Sequence, residues 1–502
     1  MAQSLLYPRL DREALCGFIS TTWPHASLDA LVPLVADAGV TQDSRHVTSG
    51  MLFIAAVGAA GDGRDYIEHA LAQGAVAVLA EAPYATDDPR IIVLDDLNTH
   101  LAALIAVLYP HAQQGFHIAV TGTNGKSSVT HYIVELLHAM GERAALIGTL
   151  GMGKPGQLTA SGFTTPHMLT VAQQAARWHV EGIHYVVLEA SSHALDQGRL
   201  DSIPLHAGVF TNLTRDHLDY HGSMLAYAAA KARLFRRPEL KHAIVNAHDE
   251  HVPLMLAGCQ CPVTRVDGYG SEADFRATAW RPSQTGQSVE LATPEGAKTL
   301  ELPLLGRFNL DNVLLAIATL YAQGMSLKRL LTAAASLHPV PGRMQLITAP
   351  DSPVVVVDYA HTPDALNNAL TALHQHVPGC LWAIVGCGGD RDSGKRPQMA
   401  AIAERQADHV VLTDDNPRTE DPEHIRQQMI AGLQRPDAAW NMGDRRRAIM
   451  NVVQQASSSD VVLIAGKGHE DYQDVQGVKH PFNDARVAAE ALAARKKEGG
   501  QA

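Results

Sequence analysis

The chain has 502 residues, of which 46% are hydrophobic and 18% charged, and its 52 acidic side chains outnumber 40 basic ones for a formal net charge of −12. That balance suits a packed protein of roughly three domains at ~150 residues each, and it excludes a disordered chain poor in apolar residues. It also excludes a global positive field that would draw nucleic acid or an anionic membrane, so an anionic ligand must be held by local groups.

The start, "MAQSLLYPRLDREAL", has no basic stretch followed by an apolar core, so no secretory leader is expected. No apolar run reaches the ~18 residues of a membrane span. The first third gives short strands in "GMLFIAAVG", "AVAVLA" and "RIIVLDD", with "DYIEHALAQG" as a helix between them. A further helix, "NTHLAALIAVLYP", ends at Pro110, and a domain boundary is expected near residue 112. This alternation of apolar runs and helices continues and marks α/β domains with largely parallel sheets. A second boundary falls in "PVPGR", Pro339 to Arg343, and the predicted domains are 1–111, 112–340 and 341–502. The five cysteines form no C-x-x-C pair, which fits a reduced, cytoplasmic protein without a cysteine zinc site.

The second segment opens with "FHIAVTGTNGKSSVTHYIVELLHAMG", a strand, a Gly-rich turn and an amphipathic helix. The common phosphate loop, G-x-x-x-x-G-K-[ST], would need glycine at position 120, where valine stands. The loop instead contracts to Gly122, Thr123, Asn124, Gly125, Lys126, Ser127 and Ser128. Glycines let the backbone approach phosphate oxygens, and a helix N-terminus offers free N–H groups and a positive dipole end. Lys126 adds a charge, and Ser127 or Ser128 a hydroxyl for Mg²⁺. An ordinary βα turn is the plainer reading, but strand, GTNGKSS and helix in this order favour a bound nucleotide.

Mg²⁺ needs further hard oxygen ligands. "HYVVLEASSHAL" sets Glu189 at the end of a buried strand, where a metal carboxylate or an ordinary turn acid would stand. "TNLTRDHLDYHG" places His217 and His221 four apart, able to share a helix side. A zinc pair is the competing reading, but no H-E-x-x-H pattern or third ligand accompanies them, and either histidine alone can be structural.

The last third gives four strands, "VVVVD", "LWAIVG", "HVVLTD" and "VVLIAG", followed by the loops "DYAHTPDAL", "GCGGDRDSGKRP", "DDNPRTEDP" and "GKGHEDYQ". Open parallel sheets bind ligands beyond the carboxyl ends of their strands. Caps and turns explain any one of these loops but do not require Arg391, Arg418, Lys467 and Glu470 together. "GCGGDR" is not G-x-G-x-x-G, because position 391 is arginine. Two guanidinium forks instead predict a ligand with more than one carboxylate.

Together "GTNGKSS", "EASSHAL", "TNLTRDHLDYHG", "KARLF", "GRFNLDN", "PGR", "DYAHTPDAL", "DDNPR" and "GKGHE" resemble the Mur ligases, ATP-dependent amide ligases of peptidoglycan precursor synthesis. The resemblance covers nearly the whole chain and is strongest to members that add 2,6-diaminopimelate. It implies an N-terminal UDP-binding α/β domain, a central P-loop-like ATPase domain with a parallel sheet, and a C-terminal Rossmann-like domain for the amino acid. It implies an ADP-forming ligase that phosphorylates the D-Glu γ-carboxylate of UDP-N-acetylmuramoyl-L-Ala-D-Glu and passes the acyl group to meso-diaminopimelate. Residues Gly122 to Ser128, with Asn309, Arg343, Asp358 and His361, would hold ATP. Ser44, Ala59, Ala60, Gly61, Thr164, Thr165, Ser191, Gln197 and Arg199 would meet the UDP substrate. Lys231 matches a carbamylated lysine, which would join Ser127, Glu189 and His217 around Mg²⁺; Lys126, Lys231 and His217 would be the catalytic set.

Arg391, Asp415, Asn416, Pro417, Arg418, Gly466 and Glu470 would line the diaminopimelate pocket. Diaminopimelate differs from lysine by a carboxylate on its far carbon, and Arg418 with Asn416 can read that group. Glu470 can take the far ammonium and Arg391 another carboxylate. Two departures stand out. Phe163 replaces a frequent asparagine before "TTP", and Ala59-Ala60 replace a polar pair, so contacts there would come from backbone atoms. The partners implied are small molecules, with no nucleic acid or membrane, and a monomer is expected. The alternatives are another amide ligase of the superfamily, such as a folylpolyglutamate synthetase, or an ATPase switch driven by a macromolecule.

Overall fold

A computed structural model describes residues 10–36, 38–58, 61–270, 272–283, 285–376 and 379–499, with side chains to 495. The chain divides into two compact units, Met1–Arg265 with Ala318–Gly324, and Val266–Ile317 with Met325–Ala502.

In the first unit, strands β1 (Val40–Thr41), β2 (Leu52–Ala55), β3 (Ala77–Glu81) and β4 (Ile91–Leu94) pair in that order, all parallel. The central sheet of this unit uses β5 (Phe116–Thr121), β6 (Ala144–Gly148), β7 (Gly151–Lys154), β8 (Gln157–Thr159), β9 (Tyr185–Glu189), β10 (Ala207–Phe210) and β11 (His242–Asn246). Their order is β11-β10-β5-β9-β6-β7-β8. Strands β5, β6, β9, β10 and β11 are parallel, whereas β7 and β8 add an antiparallel edge. Apolar side chains run almost without interruption along β5, β6 and β9, as strands covered on both faces require. Register aligns Val120 with Glu189 and Thr121 with Phe210, so the loops after β5, β9 and β10 leave the sheet along one edge.

In the second unit, β12 (Val263–Asp267) contributes its end to a parallel pair with β13 (Phe275–Ser283). Strands β14 (Gly286–Thr293) and β15 (Gly296–Leu302) then continue as antiparallel hairpin partners. A separate sheet has the order β16-β17-β21-β18-β19-β20, built from β16 (Gln345–Ile347), β17 (Val354–Asp358), β18 (Leu381–Val385), β19 (His409–Leu412), β20 (Trp440–Asn441) and β21 (Val461–Ala465). All its pairs are parallel except β16 with β17. Asp358, Ala465, Val385 and Leu412 stand in one row across four strands. The four polar loops anticipated from the sequence therefore start from one edge, where an open α/β sheet binds ligands.

The sheet is packed on both faces by separate apolar clusters, one including Leu366, Leu370 and Met399 and the other Ile449, Val452 and Val487. Beyond β21, β22 (Tyr472–Val475) and β23 (Val478–Pro481) form a hairpin. No helix among the described residues is long and apolar enough to cross a membrane, and all five cysteines are free thiols.

Candidate active site

The phosphate loop lies between β5 and the helix Lys126–Met140, whose N-cap is Gly125 at φ 85°. Gly122 has φ +147°, and a Cβ there would overlap the Thr211 hydroxyl, so the turn requires glycine on conformational and steric grounds. Asn212 holds the loop from β10's end, its Oδ1 accepting from Asn124 N at 2.9 Å. Lys126 curls back over the loop and donates to the carbonyls of Gly122 at 3.0 Å and Thr123 at 2.9 Å. An ammonium held by neutral carbonyls above a helix N-terminus is set to receive phosphate oxygens. Ser127 and Ser128 are buried in the first helical turn.

Glu189 is 1% exposed at the end of β9. Its Oε1 accepts from the Thr149 amide at 2.9 Å and its Oε2 from the Thr149 hydroxyl at 3.1 Å. Among the described residues no cationic side chain pairs with it, so this buried carboxylate is suited to a bound cation. Lys231 is also 1% exposed; its Nζ donates to Gly122 O at 2.8 Å and lies 4.4 Å from the Tyr227 ring centroid. Burial, reinforced by Lys126, pushes its pKa well below the lysine range, with Asp216 opposing. A neutral amine is the form that adds carbon dioxide, so the site fits carbamylation.

His217 is partly exposed, at φ 51°, and caps the short helix Leu218–His221. Its ring lies 4.9 Å from that of His193, which is 5.5 Å from His221. Desolvation holds the His217 imidazole toward its neutral form, against the pull of Asp216. Among the described residues no group of three His, Cys, Asp or Glu is assembled to hold a metal ion. The serine hydroxyls and Glu189 nonetheless supply the hard oxygens that Mg²⁺ takes alongside phosphate.

Several residues matched to the UDP substrate are linked to each other. Thr165 Oγ1 donates to Glu189 O at 2.6 Å and to Ser191 Oγ at 3.2 Å. Arg199 donates to Gln197 Oε1 at 2.9 and 2.6 Å and to Thr165 O at 2.8 Å. Thr164 accepts from the Thr149 hydroxyl at 3.0 Å. Phe163 is exposed and lies 5.6 Å below the Arg199 guanidinium. Ser44 is buried in a short turn after β1, Gly61 lies nearby in sequence to β2, and Ala59 and Ala60 lie outside the described residues.

In the second unit, the loop after β19 and the loop after β21 are locked together. Lys467, fully buried, donates to Asn416 Oδ1 at 2.9 Å and Glu470 Oε2 at 3.0 Å, with Asp415 Oδ1 at 3.8 Å. Asn416 Nδ2 donates to the same Glu470 oxygen at 2.7 Å. Pro417 is buried beside them. Arg418, at φ 50°, donates to Gly389 O at 2.6 Å, while Arg391 is exposed on the neighbouring loop. Both flank Gly388, where a Cβ would stand 2.9 Å from Arg418 Nη1 and 3.9 Å from Arg391 Cγ. Asn309 is buried and donates to Leu305 O at 2.8 Å. The Arg343 guanidinium lies 4.4 Å from the Tyr359 ring, Asp358 accepts from Met344 N at 2.7 Å, and His361 is exposed just beyond β17.

Sequence reasoning took His217 and His221 from "TNLTRDHLDYHG" but passed over Thr211 and Asn212 at its start, and it missed Thr149 and Tyr227, which carry no motif of their own and reach the site through folding. It also missed the buried Arg396 and its partly exposed partner Glu420, a pair at 2.8 Å that ties the loop after β18 to the one after β19. "NPRTE" held the available signal, an acid two residues beyond Arg418.

Family models match three stretches: the Mur ligase family catalytic domain over 38–109, the Mur ligase middle domain over 120–320, and the Mur ligase glutamate ligase domain over 342–468. The chain belongs to the Mur ligase family. It is thus a ligase, and the phosphate loop and the locked loops after β19 and β21 are parts of a Mur ligase. A relative from Chromobacterium violaceum, named UDP-N-acetylmuramoyl-L-alanyl-D-glutamate–2,6-diaminopimelate ligase, is 46% identical over 464 residues, 91% of this chain and 94% of that protein. A solved structure bearing the same enzyme name superposes with TM-score 0.71 at 39% identity, covering 91% of this chain and 95% of that one. The MurF ligase of Thermotoga maritima, solved with ADP, shares the fold at TM-score 0.64 and 17% identity, over 92% of this chain and 98% of its own.

Proposed function

We propose that this Mur ligase joins meso-2,6-diaminopimelate to the D-Glu γ-carboxylate of UDP-N-acetylmuramoyl-L-Ala-D-Glu, converting ATP to ADP and phosphate. The observation that carries this reading is 46% identity across 91% of the chain to a ligase of that name. The locked Asp415, Asn416, Lys467 and Glu470 set supports it, because it offers a fixed Glu470 carboxylate, and the Asn416 main chain lies with Arg418 and Arg391 around Gly388. The family matches at 38–109, 120–320 and 342–468 support division of labour among segments 1–111, 112–340 and 341–502.

In this reading the γ-carboxylate oxygen attacks the γ-phosphorus of ATP, and the bond to the bridging oxygen breaks to release ADP. The amine of diaminopimelate adds to the acyl-phosphate carbonyl, loses a proton, and the C–O bond breaks to expel phosphate. Lys126 and the loop amides hold the phosphates and offset charge where two anions meet. Ser127, Glu189, His217 and a carbamate on Lys231 would hold Mg²⁺, which supplies Lewis-acid charge stabilisation when bound. Thr165, Ser191, Gln197 and Arg199 would position the UDP substrate, which brings its carboxylate into reach of the phosphate.

Arg418 and Asn416 read the carboxylate that lysine lacks, while Arg391 takes another carboxylate; left unpaired by lysine, the Arg418 fork would cost several kcal/mol of selectivity. Mass spectrometry of products formed from equimolar diaminopimelate and lysine tests the assignment. The diaminopimelate adduct should dominate by at least about a hundredfold. Comparable amounts of both would refute it.

A further inference from the structure

Lys467 belongs to the locked set after β19 and β21 without a substrate contact of its own, and it is fully buried. Its loop leaves β21 at Gly466, whose φ of +114° turns the chain; a Cβ at Gly466 would stand 2.5 Å from Asp415 Oδ2. That close approach directs the lysine stem inward beneath the loop after β19. A buried ammonium needs compensation, and Lys467 has it from Glu470 at 3.0 Å, Asp415 at 3.8 Å and the Asn416 carbonyl oxygen at 2.9 Å. Asn416 Oδ1 also accepts from Asp474 N at 3.0 Å, which fixes the amide so that its Nδ2 donates to Glu470. Both donors meet Glu470 at Oε2, and no bond among the described residues falls on Oε1.

We propose that Lys467 is a positioning residue for the amino-acid substrate: an internal counter-ion that aims Glu470 and sets the charge of its pocket. With Oε2 held from two sides, Oε1 is left to accept from a substrate ammonium. Two carboxylates and one buried ammonium leave a single net negative charge, which matches one substrate ammonium. Without Lys467 the pair would be doubly negative and Glu470 held from one side only, by Asn416 Nδ2. This inference rests on the proposed assignment of the loops after β19 and β21 to the amino acid.

The test is steady-state kinetics of Lys467→Met with each substrate varied in turn. The Michaelis constant for diaminopimelate should rise about tenfold or more, the loss expected for a hydrogen bond to a charged group. Those for ATP and the UDP-dipeptide should stay within about twofold. Lys467→Gln, which keeps a donor without charge, should fall between wild type and Lys467→Met. In a Glu470→Gln background the Lys467→Met change should add little, because the two act through one carboxylate. Equal rises for all three substrates, a fall in kcat with the diaminopimelate constant unchanged, or full additivity with Glu470→Gln would overturn the proposal. Thermal melting reports folding. If Lys467→Met does not fold, Lys467→Gln decides by the same readouts, and failure of both to fold makes Lys467 a staple of the fold and overturns the proposal. Failure of the substrate assignment is seen separately, as wild-type enzyme that does not ligate diaminopimelate; the Lys467 comparison is then run on the amino acid that a panel shows it accepts.

Discussion

Single side chains here take their chemistry from where folding puts them. Lys126 donates to the Gly122 and Thr123 carbonyls at 3.0 and 2.9 Å, which holds its ammonium above the helix N-terminus where phosphate would bind. Lys126→Ala should therefore abolish ligation while calorimetric binding of diaminopimelate persists; near-normal turnover would contradict this. Asp311 behaves differently. Burial pushes its carboxyl pKa up to about 7, although Gly268 N donates to it at 2.7 Å. Its folded pKa lies above the ordinary 3.8, so its stabilising contribution is complete below 3.8 and fades as pH rises through about 7. Asp311→Asn, which mimics the neutral acid, should flatten the fall in melting temperature between about pH 4 and 7. Parallel curves for wild type and variant would refute the assignment. Lys126 was legible in the sequence because strand, glycine turn and helix are consecutive. The burial of Lys231, Lys467 and Asp311 was not, since nothing local in "AAAKARLF" or "GKGHE" distinguishes a solvated lysine from one under a sheet edge.

At the scale of elements, strand ends in register do most of the positioning. "VVVVD", "LWAIVG", "HVVLTD" and "VVLIAG" read as strands because continuous β-branched runs fit a sheet covered on both faces, and their loops do share one edge. The strands β13 to β15 were not anticipated. "GAKTLEL" alternates, but "FRATAWRPS" mixes charge, aromatic and proline, and its pairing is decided by tertiary partners. Helices behind the sheet are tied by Arg445 and Asp484, both fully buried, with bonds of 2.7 and 2.8 Å and a third from Arg445 to Ala465 O at 2.9 Å. That third bond attaches the pair to the end of β21, next to Gly466. Asp484→Ala leaves a buried guanidinium without its anion and should cost ~3–5 kcal/mol, read as a shift in the urea unfolding midpoint of the C-terminal part. Arg445→Met with Asp484→Leu should recover much of that loss; a single variant within about 1 kcal/mol of wild type would contradict the pair's role.

For the whole molecule, the order of motifs carried more than any one of them. A short phosphate loop alone says that a phosphate is held at a helix N-terminus. Its company of "DNPR" and "GKGHE" pointed to ligation, and relatives matched along more than nine-tenths of the chain place it in the Mur ligase family. The proposed chemistry commits phosphate transfer from ATP to an acyl acceptor and completes it with an amine. Phosphate release by the purified enzyme, with ATP and each small substrate omitted in turn, tests it most directly. Sustained release is expected only when the UDP-muramoyl dipeptide and diaminopimelate are both present. Release at a similar rate with ATP alone, or release stimulated by a macromolecule in place of the two substrates, would contradict it.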